Sequence, residues 1–199
     1  MLRYVDGFIG ANNHSAISNF FINLGWWGSV NILHKSPLKF LFPDLVIMAN
    51  SSRGTSGVYS TVFHEMAHAS HFTKVGSYYW SRYISYIITY GNKSNPYGDG
   101  HGRNAGYCGV GEMWGYYFED VCFKKEFGYG GLQYEDYKYW FNPGFIEKVA
   151  KIPDVTTSEI YSCLTTNTTT FKELKRKLKT KTIYDEKIDE AYNYYTDWP

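Results

Sequence analysis

The sequence predicts an α+β fold: a small N-terminal mixed β-sheet packed on the helix that carries His64 and His68, followed by a mostly helical C-terminal part. Three observations carry that expectation. β-branched and apolar runs separated by turn residues are concentrated before the polar Ser51–Gly57 stretch. From about Gly57 the apolar residues recur at helical spacing. Beyond about residue 132 one helix-start signal follows another. The expected organisation is a core over residues 1–131 and a helical subdomain over 132–199.

Taken in order, residues 1–13 are rich in Gly and Asn and read as irregular. Ser15 is placed to cap a helix with Ile17, Phe20, Phe21 and Leu24 on one side, stopped by Gly25. Gly28 to Leu33 reads as a strand, a second follows the turn at Pro37, and Asp44-Leu45-Val46-Ile47-Met48 has the composition of a buried strand. A helix then runs to Phe72, and Gly76 separates it from a second helix over Ser77–Tyr90. Tyr79, Trp80, Tyr83, Ile84, Ile87 and Ile88 recur there at helical spacing and read as core. Residues 91–111 carry seven glycines and read as one long loop, a length more often functional than incidental. Glu112 opens the next helix, which ends at Gly128. Further helices are expected at about 133–140, at 143–151 behind an Asn142-Pro143 start, at 157–164, at 170–179 behind a Thr170/Glu173 capping box, and at 185–195.

Composition narrows the function classes. Apolar residues make up 44% and charged residues 20% of 199 residues, which fits a folded globular chain and excludes disorder. The net charge of +1 provides no field to steer nucleic acid, and the lysines between Lys172 and Lys181 read as a solvated helix face; no nucleic-acid partner is expected. No apolar run is long enough for a transmembrane segment. The first residues lack the basic flank and apolar core of a secretory signal. Cys108, Cys122 and Cys163 have no C-x-x-C spacing and read as three buried thiols, with a Cys108–Cys122 bridge as the alternative.

Chemistry concentrates at His64-Glu65-Met66-Ala67-His68, an H-E-x-x-H pattern in helix-forming surroundings. Residues four apart share a helix face, so His64 and His68 offer two imidazoles to one metal. Glu65 follows the first of them, where a carboxylate reaches a metal-bound water as general base. That constellation points to a zinc hydrolase.

Two histidines leave a catalytic site one protein ligand short. His71 shares the face, but His64 and His71 are separated by about 10 Å along the axis. That is too far for one ion with bonds of about 2 Å, so His71 reads as a neighbour rather than a ligand. The longer metzincin pattern fails too, because it needs glycine at 71 and histidine at 74, where the chain has His71 and Lys74. A carboxylate on a later helix remains. Glu112 is the leading candidate, flanked by Gly111 and Gly115, which permit close helix approach; Glu119 and Asp120 are the alternatives.

The core His64-Glu-Met-Ala-His-Ala-Ser-His71 followed by Gly111-Glu112-Met113-Trp114 resembles the gluzincins, zincin-fold metallopeptidases with a downstream glutamate ligand. It is also similar to uncharacterised exported bacterial zinc peptidases. The resemblance covers about residues 40–127. It implies a zincin-like sheet beside the motif helix and a Zn2+ cofactor on His64, His68 and Glu112. It further implies Glu65 as general base, a peptide or protein substrate, and export with the signal absent from this chain. There is one departure: the best-known members carry aspartate four residues after the glutamate, where this chain has Tyr116. Glu119, Asp120 or Tyr116 itself is then expected to orient a ligand histidine. Candidates to stabilise an oxyanion are Tyr116, Tyr107, His101 and Arg103. The competing expectation is a catalytically weak zincin-like domain used for binding or adhesion, against which the intact Glu65 argues.

Overall fold

A computed structural model describes residues 54–92, 94–128 and 139–195, together with the backbone of Val30–Asn31 and Leu45–Val46. Among the described residues the protein is all-α. The helices are α1 (Gly54–Tyr90), α2 (Ala105–Phe127), α3 (Gly144–Val149), α4 (Thr157–Cys163), α5 (Phe171–Leu178) and α6 (Asp185–Tyr194). The only extended pairing described is antiparallel, β1 (Val30–Asn31) against β2 (Leu45–Val46), with Val30 opposite Val46.

This corrects the expected α+β class and its mixed sheet. Among the described residues the extended structure is one two-stranded pairing of two residues each, whereas independent sheet stability needs three or more strands. The core is instead assembled from helix faces. The remaining expectations for residues 1–53, and most of the helix expected at 133–140, lie outside the described residues. None of the described helices is long and apolar enough to cross a membrane.

α1 has two arms joined at Gly76, whose φ of 81° and ψ of −179° fall in a region open essentially to glycine alone. The expected break at Gly76 is therefore present as a kink. The kink brings Trp80 and Tyr83 of the second arm back against His68 of the first, with ring centroids 5.2 and 5.9 Å away. Phe72, Val75, Tyr79 and Trp80 form a small buried cluster at the bend.

α2 starts at Ala105, seven residues before the expected position, so the 91–111 loop is shorter than its glycines suggested. Gly106, Gly109, Gly111 and Gly115 lie inside the helix. They look like loop residues in isolation because glycine costs a helix about 1 kcal/mol relative to alanine. Here close packing offsets that cost: a Cβ on Gly106 would collide with the Thr169 carbonyl. α2 ends at Gly128, which has a φ of 69° and returns its N–H to the Lys124 carbonyl, a glycine C-cap.

α2 is buried on more than one side. Val110, Met113, Trp114 and Tyr117 join Ala67 of α1 and Phe145, Ile146, Val149, Ile160, Leu164, Phe171, Leu174, Leu178 and Ile188 in one continuous apolar cluster. α3 to α6 occur close to their expected positions, but their starts differ in detail. Thr156 and Glu159 form a full capping box at α4. At α5 Thr170 accepts from the Glu173 N–H, while the Glu173 carboxylate accepts from Thr169 rather than Thr170. Asn142 does not cap α3 with its side chain; its amide donates to the Tyr195 carbonyl at 3.3 Å and ties the end of α6 to the core. Lys175 of α5 and Lys179, which follows its last residue, pair with carboxylates of α6.

Candidate metal centre

α1 and α2 run along each other, and their register is pinned one residue from the site. The Trp114 indole N–H donates to the Ala67 carbonyl at 3.1 Å. Gly115 then faces the two motif imidazoles. A Cβ there would lie 2.8 Å from His64 Cε1, 2.9 Å from His68 Cε1 and 3.0 Å from His64 Nε2. The absence of a side chain at 115 therefore leaves room for both rings.

Glu112 sits one turn earlier on α2, fully buried, and reaches between the imidazoles. Its Oε2 is 3.3 Å from His64 Nε2 and its Oε1 is 3.3 Å from His68 Nε2. The ligand atoms of His64, His68 and Glu112 all lie within 4.8 Å of one another. Donor atoms bound tetrahedrally at about 2.0–2.1 Å are separated from each other by about 3.4 Å. Each motif imidazole nitrogen has one Glu112 oxygen close to that separation, His64 Nε2 from Oε2 and His68 Nε2 from Oε1. Two imidazole nitrogens and one carboxylate oxygen are also a donor set that suits zinc. Glu112 Oε2 is buried without a hydrogen-bond partner, as expected of an oxygen that a cation would satisfy.

Glu112 does not occupy a helix N-terminus. It is two turns inside α2, so the macrodipole does not explain an acidic residue there. Its ionised form is held by the imidazoles: burial opposes the charge, yet His68 and His64 depress its pKa well below the usual carboxylate range. For His64, burial also opposes the charge, but Glu112 and Glu119 outweigh it and raise its pKa to about 10. Glu65 is only 6% exposed, and burial raises its carboxyl pKa while His68 and His64 oppose the rise.

Around these groups, Glu119 Oε2 lies 3.0 Å from His64 Nδ1, and Ser60 donates to its other oxygen. That is the orienting contact expected from a residue one turn beyond Tyr116. Asp120 turns away to Lys124 and takes no part in the cluster. Tyr116 packs its ring edge-on against His64, with centroids 4.6 Å apart, and its hydroxyl is 3.5 Å from that of Tyr97.

The other sequence candidates fall elsewhere. His71 is fully buried against Tyr79 and Trp80, neither ring nitrogen has a partner, and burial lowers its pKa to about 3. It is a neutral core imidazole outside the ligand group. Tyr107 packs on Tyr79. His101 and Arg103 are exposed, and the His101 backbone N–H donates to Asp99. All three cysteines are free; Cys108 and Cys122 share α2 with about 21 Å of helix rise between them, which excludes a bridge.

Two residues at the site were not singled out in the sequence. Tyr83 donates its hydroxyl to Glu112 Oε1, and Tyr97 brings a hydroxyl to Tyr116. Tyr83 falls on the same apolar periodicity as Trp80, and only the fold at Gly76 shows where it points. Tyr97 is placed by its loop: Trp140 donates to its carbonyl at 3.1 Å, and the Gly100 N–H donates to the Tyr86 hydroxyl at 2.8 Å. No family model, curated protein or solved structure matches the chain.

Proposed function

We propose that the protein is a zinc-dependent hydrolase of peptide bonds, with a gluzincin-like ligand set of His64, His68 and Glu112. The observation that carries the reading is the convergence of Glu112 with the two motif imidazoles, although Glu112 lies far along the chain on another helix. Bound zinc would polarise the scissile carbonyl and lower the pKa of a water molecule. Glu65, next to His64 and nearly buried, would accept that water's proton and return it to the leaving amine. A carboxyl pKa raised by burial favours both halves of that transfer, because a base closer to neutrality gives its proton back more readily. Glu119 would hold His64 through Nδ1, leaving Nε2 for the metal. Tyr116, against His64, is the best placed of the oxyanion candidates. The peptide substrate class rests on the resemblance of the motifs, and so does export.

One observation favours a second reading, a metal-free ion-pair cluster. His64 already contacts both Glu112 and Glu119, so a protonated imidazole would balance buried carboxylates without zinc. Metal analysis of the purified protein, with peptide-library cleavage by wild type and Glu65→Gln, separates the two. Zinc near one equivalent in both proteins, with cleavage reduced about 100-fold or more in Glu65→Gln, is the expected result. Protein that takes up no zinc and cleaves nothing overturns the hydrolase reading.

A further inference from the structure

We propose that Tyr83 is a positioning residue of this centre: by donating its phenol to Glu112 Oε1 it leaves Oε2 as the carboxylate oxygen offered to the metal. The inference rests on the metal-site reading above and assigns a role that neither the H-E-x-x-H pattern nor the downstream glutamate contains.

The two oxygens of Glu112 are not equivalent. Oε1 accepts from Tyr83 and lies 3.3 Å from His68 Nε2. Oε2 accepts from no group, is buried, and lies 3.3 Å from His64 Nε2. A carboxylate with both oxygens unengaged can bind a cation through either or both. One already held by a buried phenol presents a single well-directed oxygen, which is how outer contacts orient metal ligands.

Tyr83 itself is held from three sides. Its ring packs on Trp80 with centroids 4.5 Å apart and lies 5.9 Å from His68. Gly111 provides the space on α2: a Cβ there would stand 3.2 Å from Tyr83 Cδ2 and 3.3 Å from Cε2. The kink at Gly76, which turns the second arm of α1 back, brings the phenol within reach of a residue that α2 supplies. Gly76 and Gly111 thus serve the same contact from opposite sides.

The test uses Co2+ as a spectroscopic probe in the full chain, with Zn2+ affinity measured alongside. Tyr83→Phe keeps the ring and removes only the hydroxyl. Expected are a 10–100-fold weaker metal affinity, roughly the range for loss of an outer hydrogen bond, and an altered Co2+ visible spectrum, weaker in intensity as Oε1 becomes available to the metal. Gly111→Ala, which retains the phenol but displaces its ring, is expected to shift the spectrum in the same direction. Tyr86→Phe, which loses a hydroxyl contact to Gly100 away from the centre, is expected to leave the spectrum unchanged. If wild type binds Co2+ and both Tyr83→Phe and Gly111→Ala match its affinity and spectrum, the role of Tyr83 is refuted while the centre stands. If wild type binds neither Co2+ nor Zn2+, the centre itself is refuted.

Discussion

Replacing Gly115 by alanine sets two opposite physical effects against each other. In an unencumbered helix the change stabilises by about 1 kcal/mol, because alanine has the higher helix propensity. At this position the new Cβ would stand 2.8 Å from His64 Cε1 and 2.9 Å from His68 Cε1, against ordinary carbon contacts of about 3.5–4.0 Å. Each ring must then retreat by about 0.5 Å or more. His64 has little room to do so, being held by Glu119 at 3.0 Å and by Tyr116. Overpacking of this kind costs about 1–3 kcal/mol, so the net change is a loss of up to about 2 kcal/mol in the metal-free protein. The effect on metal is larger. Metal–ligand distances tolerate about 0.2 Å, and two ligands are displaced together, so zinc affinity should fall about 100-fold or more. Chelator-competition titration measures the affinity, and melting curves with and without zinc measure stability. A Gly115→Ala protein with wild-type zinc affinity and a raised melting temperature would refute the placement of both imidazoles against α2.

Two further outcomes follow from the buried histidines. His71→Leu removes an imidazole with two partnerless nitrogens, so stability at neutral pH should hold or rise, by about 1–3 kcal/mol, with zinc stoichiometry unchanged. Because the folded pKa of His71 is lowered to about 3 from 6.5, the unfolded chain binds the extra proton between those values and wild type loses stability as pH falls through that window. The variant should be spared up to about 3 kcal/mol of that loss at pH 4, read from urea denaturation at the two pH values; an equal loss in both proteins would contradict it. For His64 the sign is reversed: its folded pKa of about 10 means that its contribution to the metal-free fold is complete below 6.5 and disappears as pH rises through 10. Zinc requires the neutral ring, so uptake at pH 7 should release about one proton from His64, and affinity should climb with pH. Calorimetric titration in buffers of different ionisation enthalpy measures that proton, and pH-independent binding without proton release would refute a protonated His64 in the metal-free site.

Local chemistry is what the sequence determined by itself. The i, i+4 spacing of His64 and His68 places two imidazoles on one face in any helix, and Glu65 follows directly. The break at Gly76, the C-cap at Gly128 and the helices from Gly144 onward were legible for the same reason, since caps and glycine conformations act within a few residues. What only the tertiary structure decided depends on pairs far apart in the chain. The β-branched runs before residue 50 suggested a sheet, but strand composition reports a preference for pleated, half-buried surroundings and does not supply partners. The described residues contain a two-residue pairing and a core of helices. The glycines from 106 to 115 looked like loop because propensity counts the cost of glycine in a helix and not the space it leaves for a neighbour. That space, filled at Gly115 by His64 and His68 and at Gly111 by Tyr83, is what brings Glu112 between the imidazoles. Glu112 was found from sequence as an acidic residue among glycines. That Glu119 rather than Asp120 holds His64, and that Tyr83 holds Glu112, was decided by the packing of α1 on α2.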